Sequence, residues 1–247
     1  MQILLKLVIY TFMHYLFKNE IIDYDYVNSN KTDTILFLHG WGGNKNSFQQ
    51  TINLTKNKFN ILSVTMPTTN PTTSVWCLFD YVTLIENLLM LHSISNPLII
   101  CHSFGLRVLF LLKEKIKIKK AIITGGAGLK KENIFEKIIK NNNKIILKSP
   151  HFKKNYKKIA SPDYLALSKN NKETFKNIVN LNLKFATKFN FPILLFWGIK
   201  DKETPIWIAK TLKVKNKCKL IKTTGNHFTY LNEAAQFNHE TIKFLSS

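Results

Sequence analysis

The chain has 247 residues, 45% of them hydrophobic, and a formal net charge of +21. That length and apolar content exclude a disordered protein and allow one substantial core that carries an insertion. The charge would ordinarily favour nucleic acid or an anionic membrane, but Arg107 is the only arginine among 36 basic residues. Nucleic-acid surfaces typically use arginine for bidentate contacts, so we interpret the charge as a solvated lysine coat and predict no nucleic-acid partner.

The chain begins with MQILLKLVIYTFMHYLFK, which is apolar on nearly every face. It lacks the basic start and small-residue cleavage site of a signal peptide, and it is too interrupted for a confident membrane span. We predict an apolar helix over residues 1–20. Two interpretations stay open: an interfacial helix that makes a peripheral membrane contact through residues 1–18, or a helix docked on the domain.

From Ile21 onward, apolar strand patterns alternate with helical patterns. Strands are predicted in IIDYDYV, TILFLHG, FNILSVTMP, LIIC, KKAIITGGAG, FPILLFWGIKD and CKLIKTTGNH. Helices are predicted in the segment after GGNKNSF, in SVWCLFDYVTLIENLLMLHS, after Gly105, over about 205–212 and at the C-terminus. This alternation is typical of an α/β fold with a mostly parallel central sheet flanked by helices.

Residues 129–190 break this rhythm. They are rich in lysine and helical in pattern, with no convincing buried strand. We therefore predict one α/β core, residues 21–128 and 191–247, that carries a helical cap insertion over 129–190.

The three cysteines, Cys77, Cys101 and Cys218, are widely spaced and form no C-x-x-C pair. That spacing argues against a disulfide framework and a zinc site, and it favours a reducing, cytoplasmic location. The glycine cluster TGGAG at residues 124–128 has the wrong spacing for a phosphate-binding loop, so no metal or nucleotide cofactor is predicted.

The stretch LIICHSFGLRVLF, residues 98–110, places Ser103 between a short strand and a helix. A serine at such a sharp turn is the nucleophile elbow, usually written G-x-S-x-G. Here Cys101 occupies the first small position, so the match is imperfect.

Other polar residues follow the ends of other predicted strands. In chain order they are His39-Gly40-Trp41-Gly42, then Ser103, then Asp201, then His227. In an open α/β sheet, functional residues gather at the carboxyl ends of the strands. The order serine, acid, histidine is the chain order of α/β-hydrolase triads.

Four segments, LFLHGWGGNKNSF, IICHSFG, LLFWGIKDKETP and GNHFTYLNEAAQFNHETIKFL, occur in the order and spacing of one family. After about residue 20 the chain resembles the small, capped, esterase-like serine hydrolases of the α/β-hydrolase superfamily. The resemblance implies a nucleophile, Ser103, a general base, His227, and an acid, Asp201. It further implies an oxyanion hole made by the backbone N–H groups of Trp41 and Phe104, on a loop supported by His39, Gly40 and Gly42.

Alternatives remain for two of these roles. Glu203 is a neighbouring carboxylate, but the family places the acid shortly after the Trp-Gly of this strand, which favours Asp201. His239 and His102 are alternative bases. His239 is expected on the surface or in packing, and His102 is expected to point away from a substrate that faces Ser103.

Two features depart from the family. Leu106 stands where this group often has another glycine, and TMPTTNPTTS replaces a glycine-rich loop. We expect the first to be accommodated and the second to alter the pocket wall.

The resemblance implies a cofactor-independent carboxylesterase that acts on a small-molecule ester. Other acyl hydrolases of the same fold stay open: a lipid esterase, a thioesterase or a prolyl aminopeptidase. A non-catalytic ligand-binding protein on the same scaffold also stays open, because fold alone does not fix a reaction.

Overall fold

The computed structural model of the protein describes residues 9–130, 162–214 and 217–247. The strands are β1 (Ile9–Phe17), β2 (Glu20–Asn28), β3 (Thr34–Leu38), β4 (Asn60–Val64), β5 (Leu98–His102), β6 (Lys120–Thr124), β7 (Lys188–Phe189), β8 (Ile193–Gly198), β9 (Lys213–Val214) and β10 (Cys218–Thr223). The helices are α1 (Gln49–Thr55), α2 (Leu78–Leu91), α3 (Phe104–Leu112), α4 (Pro162–Ala166), α5 (Lys169–Val179), α6 (Trp207–Thr211), α7 (Thr229–Asn232) and α8 (Ala234–Ser246), and a 3-10 turn spans Lys184–Ala186. Within these ranges, no helix has both the length and the apolar character that crossing a membrane requires.

An eight-stranded sheet runs in the order β1-β2-β4-β3-β5-β6-β8-β10. Strand β2 is antiparallel to both of its neighbours, β1 and β4, whereas all other neighbouring pairs are parallel. Every residue of β3, β4 and β5 is buried, as expected for strands covered by helices on both faces. The predicted mostly parallel α/β sheet is confirmed.

Each face of the sheet carries its own hydrophobic core. One core joins α2 and α3 to the sheet and contains Trp76, Leu106 and Trp197. The other joins α1 and α8 to the opposite face and contains Phe48 and Phe237. Because burial of each large apolar side chain contributes about 1.5–3 kcal/mol, these cores hold the strand ends in a fixed relation to one another.

The N-terminal prediction is wrong where the structure describes it. Residues 9–17 form β1, which pairs along its whole length with β2 in an antiparallel hairpin. They therefore form neither an interfacial helix nor a docked helix. Residues 1–8 lie outside the described part of the chain.

The alternation of side chains explains why this segment is a strand. Met13 and Tyr15 pack against the core, whereas Leu16 is 71% exposed. A period of two, built from aromatic and β-branched residues, belongs to a strand and not to a helix. Lys18 and Asn19 both have positive φ, 52° and 62°, as in the two-residue type I′ turns that close hairpins.

The predicted cap insertion is described at residues 129–130 and 162–190, and residues 131–161 of it lie outside the described residues. Its described part contains α4, α5 and the 3-10 turn, as the helical pattern predicts, and also the two-residue strand β7, which pairs with β9 outside the insertion. Arg107, on α3, donates from Nη1 to the carbonyls of Ile178 at 2.8 Å and Leu181 at 3.0 Å. Carbonyls at a helix C-terminus lack intrahelical partners, so Arg107 fastens the end of α5 to the helix that follows Ser103.

Candidate active site

The connection between β5 and α3 consists of Ser103 alone. Its φ of 47° and ψ of −109° lie outside the regions that side-chain-bearing residues favour. The Ser103 N–H donates to the Thr124 carbonyl at 3.2 Å, and the Ser103 carbonyl accepts from Ala127 N–H at 2.9 Å. Strained backbone persists only where surrounding structure holds it, and here the last residue of β6 and the segment after it supply these contacts.

Gly105 allows α3 to approach the sheet at this turn. A Cβ at Gly105 would lie 2.3 Å from the carbonyl oxygen of Leu38, in β3. Because that atom belongs to the backbone of a central strand, it has no room to move. The second glycine of the elbow motif is therefore required by packing.

The two departures from the elbow pattern are accommodated in the core. Cys101 is fully buried, and this burial raises the pKa of its thiol. Leu106 is fully buried as well, and a Cβ at Gly126 would lie 2.4 Å from the Leu106 Cδ2. Gly126, in the TGGAG cluster, thus provides the space that Leu106 occupies.

Asp201 and His227 meet beyond the ends of β8 and β10. His227 Nδ1 lies 2.9 Å from Asp201 Oδ2, and both side chains are buried. The Thr204 hydroxyl lies 2.7 Å from the same Oδ2. The other carboxylate oxygen, Oδ1, accepts the backbone N–H groups of Glu203 at 3.0 Å and Thr204 at 2.8 Å.

These contacts set the charge of Asp201. Burial opposes its ionisation, but hydrogen bonds from His227 and Thr204 outweigh burial and lower the pKa of the Asp201 carboxyl. The carboxylate is therefore ionised at neutral pH, and an ionised carboxylate only accepts hydrogen bonds. His227 must donate from Nδ1, which leaves Nε2 to carry the lone pair of the neutral ring.

Glu203, the alternative acid in the sequence, occupies a different position. Its Oε2 lies 3.4 Å from His227 Nε2, and its side chain is 65% exposed. His239, an alternative base, is exposed on α8. The shorter and buried contact to His227 is thus the one from Asp201.

His102 packs against His227, and their ring centroids are 4.6 Å apart. The His102 Nδ1 donates to the Thr124 carbonyl at 3.0 Å. Burial, with the nearby His227, lowers the pKa of His102 to about 3, so its ring stays neutral. Its edge reaches the cavity wall, although only 2% of the residue is exposed.

His39 supports the loop after β3. Its Nε2 accepts the Met66 N–H at 2.8 Å, which places the ring proton on Nδ1, and Nδ1 donates to the Gly40 carbonyl at 2.6 Å. Burial lowers the pKa of His39 to about 4, so the ring is neutral. Its two contacts tie the start of this loop to the end of β4.

The loop itself is a tight turn around Trp41. The Gly43 N–H donates to the Gly40 carbonyl at 3.0 Å, and the Gly42 N–H donates to the Thr68 hydroxyl at 3.2 Å. In the described part of the chain, neither the Trp41 N–H nor the Phe104 N–H has an acceptor. Both are therefore available to a bound ligand.

A cavity of about 1080 Å³ unites these elements. Ser103, His227 and Trp41 line it, whereas Asp201 stands behind His227. Its wall is rich in aromatic rings: Trp41, Phe104, Tyr164, Phe175, Phe228 and Tyr230. The structure thus brings the predicted serine and histidine to one cavity, with the predicted acid in contact with the histidine.

No protein-family model and no curated protein sequence matches the chain. Among solved structures, an esterase from Exiguobacterium antarcticum is similar, with a TM-score of 0.73 and 14% identity over 96% of this chain and 100% of that one. An enol-lactonase from Burkholderia xenovorans LB400 has a TM-score of 0.72 and 10% identity over 95% of this chain and 100% of that one. An alpha/beta hydrolase enzyme from a Medee basin deep-sea metagenome library has a TM-score of 0.68 and 16% identity over 95% of this chain and 98% of that one. The chain has the α/β-hydrolase fold.

In this α/β-hydrolase fold, the residues predicted from the sequence converge because parallel strands end at the same edge of the sheet. His39 and Ser103 directly follow β3 and β5. Asp201 and His227 lie three and four residues after the ends of β8 and β10. The fold therefore accounts for the convergence of residues as far apart in the 247-residue sequence as His39 and His227.

Sequence reasoning missed Thr204 and Asn171. Thr204 had a local signal, because an aspartate that accepts N–H groups two and three residues later is a common turn motif. Asn171, in α5, bonds to the loop around Thr68, about a hundred residues earlier in the chain. No local pattern marks such a contact.

Proposed function

We propose that the protein is a serine hydrolase that cleaves carboxylic esters through an acyl intermediate on Ser103. The observation that carries the proposal is a single cavity that holds Ser103, at a strained strand-to-helix turn, together with His227, which is bonded to the buried Asp201. A serine hydroxyl is protonated at neutral pH and needs an adjacent base, and this pair supplies one.

Acylation begins when His227 Nε2 takes the proton of the Ser103 hydroxyl as Oγ attacks the ester carbonyl carbon. Asp201 holds Nδ1–H in place and stabilises the imidazolium that forms. This step requires a hydrogen bond between Nε2 and the Ser103 hydroxyl; in the structure Nε2 lies 3.4 Å from the exposed Glu203 carboxylate.

The carbonyl oxygen becomes an oxyanion in the tetrahedral intermediate. The Trp41 and Phe104 N–H groups, which have no acceptor among the described residues, are the proposed donors to it. Phe104 N–H also lies at the N-terminus of α3, where the helix dipole favours negative charge. Such donors typically contribute about 3 kcal/mol each to the transition state.

Collapse of the intermediate breaks the ester C–O bond, and the leaving alkoxide takes the proton from Nε2. A water molecule then attacks the acyl-Ser103 carbonyl as Nε2 accepts one of its protons. The second collapse releases the carboxylic acid and returns that proton to Ser103 Oγ.

The aromatic lining of the cavity favours a substrate with an apolar acyl or alcohol group. Trp41 contacts Phe104 and Phe175 with ring centroids 5.6 and 5.0 Å apart, and these rings face the cavity. The esterase and the enol-lactonase named among the similar structures also favour ester chemistry. Thioesters and lipid esters fit the same mechanism.

The test is labelling of the purified protein with a fluorophosphonate probe, beside Ser103→Ala and hydrolysis of p-nitrophenyl esters of increasing chain length. We expect labelling and hydrolysis in the wild type and neither in folded Ser103→Ala. A thioester and a phospholipid substrate, assayed in parallel, separate the acyl classes. A folded wild type that neither labels nor hydrolyses any of these would refute the proposal and favour a ligand-binding protein.

A further inference from the structure

The loop from Thr68 to Thr73 is held by one buried side chain of the insertion. Asn171, in α5, is 1% exposed. Its Nδ2 donates to the carbonyls of Thr68 and Asn70, at 2.8 Å each, and its Oδ1 accepts the Thr72 N–H at 3.1 Å. This loop belongs to the segment TMPTTNPTTS, which stands where the family has a glycine-rich loop. Three hydrogen bonds made by the Asn171 side chain hold the backbone of the loop in place.

The same loop contacts the proposed oxyanion site. The Thr68 hydroxyl accepts the Gly42 N–H at 3.2 Å. That N–H belongs to the peptide unit that directly follows Trp41, and a peptide unit is planar. Fixing it therefore restricts the orientation of the Trp41 backbone. A continuous path runs from Asn171 through Thr68 to Gly42.

A second contact from the same helix reaches Trp41. Phe175 lies four residues after Asn171, and residues at this spacing share a helix face. Its ring packs edge-on against the Trp41 ring, with centroids 5.0 Å apart. Helix α5 is itself fixed at its other end by Arg107, so it can act as a rigid support.

We propose that Asn171 is a positioning residue that sets the Trp41 N–H for oxyanion binding by way of Thr68 and Gly42. The inference rests on the proposed serine hydrolase function and adds a role for the insertion: its helix α5 completes the catalytic geometry as well as covering the cavity. A donor is effective only at about 2.7–3.1 Å from the oxyanion, so loss of this support lowers the rate of the chemical step.

The experiment compares wild type with Asn171→Asp and Thr68→Val. Asn171→Asp removes the Nδ2 donors and keeps an acceptor, whereas Thr68→Val removes the hydroxyl that holds Gly42. Asn170→Ala is the matched control, because Asn170 Nδ2 bonds the same loop at the Thr72 carbonyl, 2.8 Å away, and not at Thr68. Thr68→Ser keeps the hydroxyl and tests rescue.

The readouts are kcat and KM for an activated ester, inhibition by a trifluoromethyl ketone whose adduct carries an oxyanion, and the thermal midpoint. We expect Asn171→Asp and Thr68→Val to lower kcat about 10- to 100-fold with KM within about twofold, and to weaken the ketone by a similar factor. Asn170→Ala and Thr68→Ser are expected to retain most of the activity.

If the wild type is active and the folded Thr68→Val and Asn171→Asp variants have the same kcat as wild type, this inference is overturned. The proposed function is then unaffected. An equal loss in Asn170→Ala also overturns the inference, because the effect would then be general loosening of the loop. If Asn171→Asp does not fold, Thr68→Val still tests the contact through which Asn171 would act, and a kcat equal to that of wild type in this variant overturns the inference. A wild type without any Ser103-dependent activity removes both the function and the inference.

Discussion

The Thr204 hydroxyl lies 2.7 Å from Asp201 Oδ2, the oxygen that also contacts His227 Nδ1 at 2.9 Å. The same hydroxyl is 2.9 Å from the Gly125 carbonyl. Thr204 also donates its N–H to Asp201 Oδ1, so one residue contacts both carboxylate oxygens. Since Asp201 orients His227 in the proposed mechanism, Thr204 fixes the orientation of the Asp201 carboxylate and, through it, that of the His227 ring.

Replacement of Thr204 by valine tests this arrangement. Valine keeps the shape and the backbone N–H but removes the hydroxyl, so we expect kcat to fall about five- to tenfold, equivalent to about 1 kcal/mol. KM should change little, because Thr204 acts through Asp201. Steady-state kinetics of Thr204→Val and Thr204→Ser, with serine restoring the rate, provide the check. A valine variant as fast as wild type would show that the backbone contacts alone suffice.

Asp201 should make the stability of the fold depend on pH. Its pKa is lowered in the folded state, so its contribution to the free energy of unfolding is present above the unfolded value of about 3.9 and disappears as pH falls through the folded value. Wild type should therefore exceed Asp201→Asn in stability at about pH 7, and the difference should shrink below about pH 4.

Urea unfolding of both proteins across this pH range measures the difference. Glu203→Gln is the matched control, because the Glu203 side chain is 65% exposed and a change of less than about 0.5 kcal/mol is expected at every pH. A constant gap between wild type and Asp201→Asn would mean that the asparagine acts by altered packing and not by loss of the charge.

Gly126 and Leu106 should be energetically coupled. A Cβ at Gly126 would lie 2.4 Å from Leu106 Cδ2 and 2.9 Å from Ile123 Cγ2, inside a buried core. We expect Gly126→Ala to destabilise the protein by about 1–3 kcal/mol, as overpacking does. In a Leu106→Ala background the same change should cost less, since the space is then available. A double-mutant cycle from thermal or urea unfolding tests this, and purely additive effects would contradict it.

Much of the fold and the candidate site could be predicted because both depend on local patterns. Buried parallel strands are continuous apolar runs, and the polar residue after each one marks the same sheet edge, which identified Ser103, Asp201 and His227 as a group. The prediction of an N-terminal helix is wrong because a short apolar run fits either a helix or a strand. The turn at Lys18 and Asn19 shows that the segment is one strand of a hairpin. The sequence does not reveal this turn, because it lacks the glycine that usually marks such turns.

Other features could not be read from the chain. Asn171 and Arg107 act through contacts with backbone carbonyls of distant segments, which depend on how the insertion docks. The space that Gly126 leaves for Leu106 is likewise set by the packing of α3 against the segment after β6. These are tertiary relationships between segments whose local sequence is unremarkable in itself.

Glu203 should assist the proposed reaction. Its carboxylate lies 3.4 Å from His227 Nε2, where positive charge develops on the ring as Nε2 takes the Ser103 proton. Glu203→Gln removes the negative charge, so we expect kcat/KM to fall about two- to threefold, as suits an exposed ion contact of about 0.5 kcal/mol. The loss should be seen at about 0.02 M salt and should diminish at about 0.5 M, where exposed charges are screened within a few ångströms.

Lys202→Gln is the control for this change, because it alters an exposed charge in the same turn. Its kcat/KM should stay close to that of wild type with a neutral ester substrate. If Glu203→Gln is instead faster than wild type at both salt concentrations, the carboxylate does not stabilise the imidazolium. Its contact with Nε2 would then hinder the approach of Ser103, and the transfer of the Ser103 proton would require Glu203 to move away.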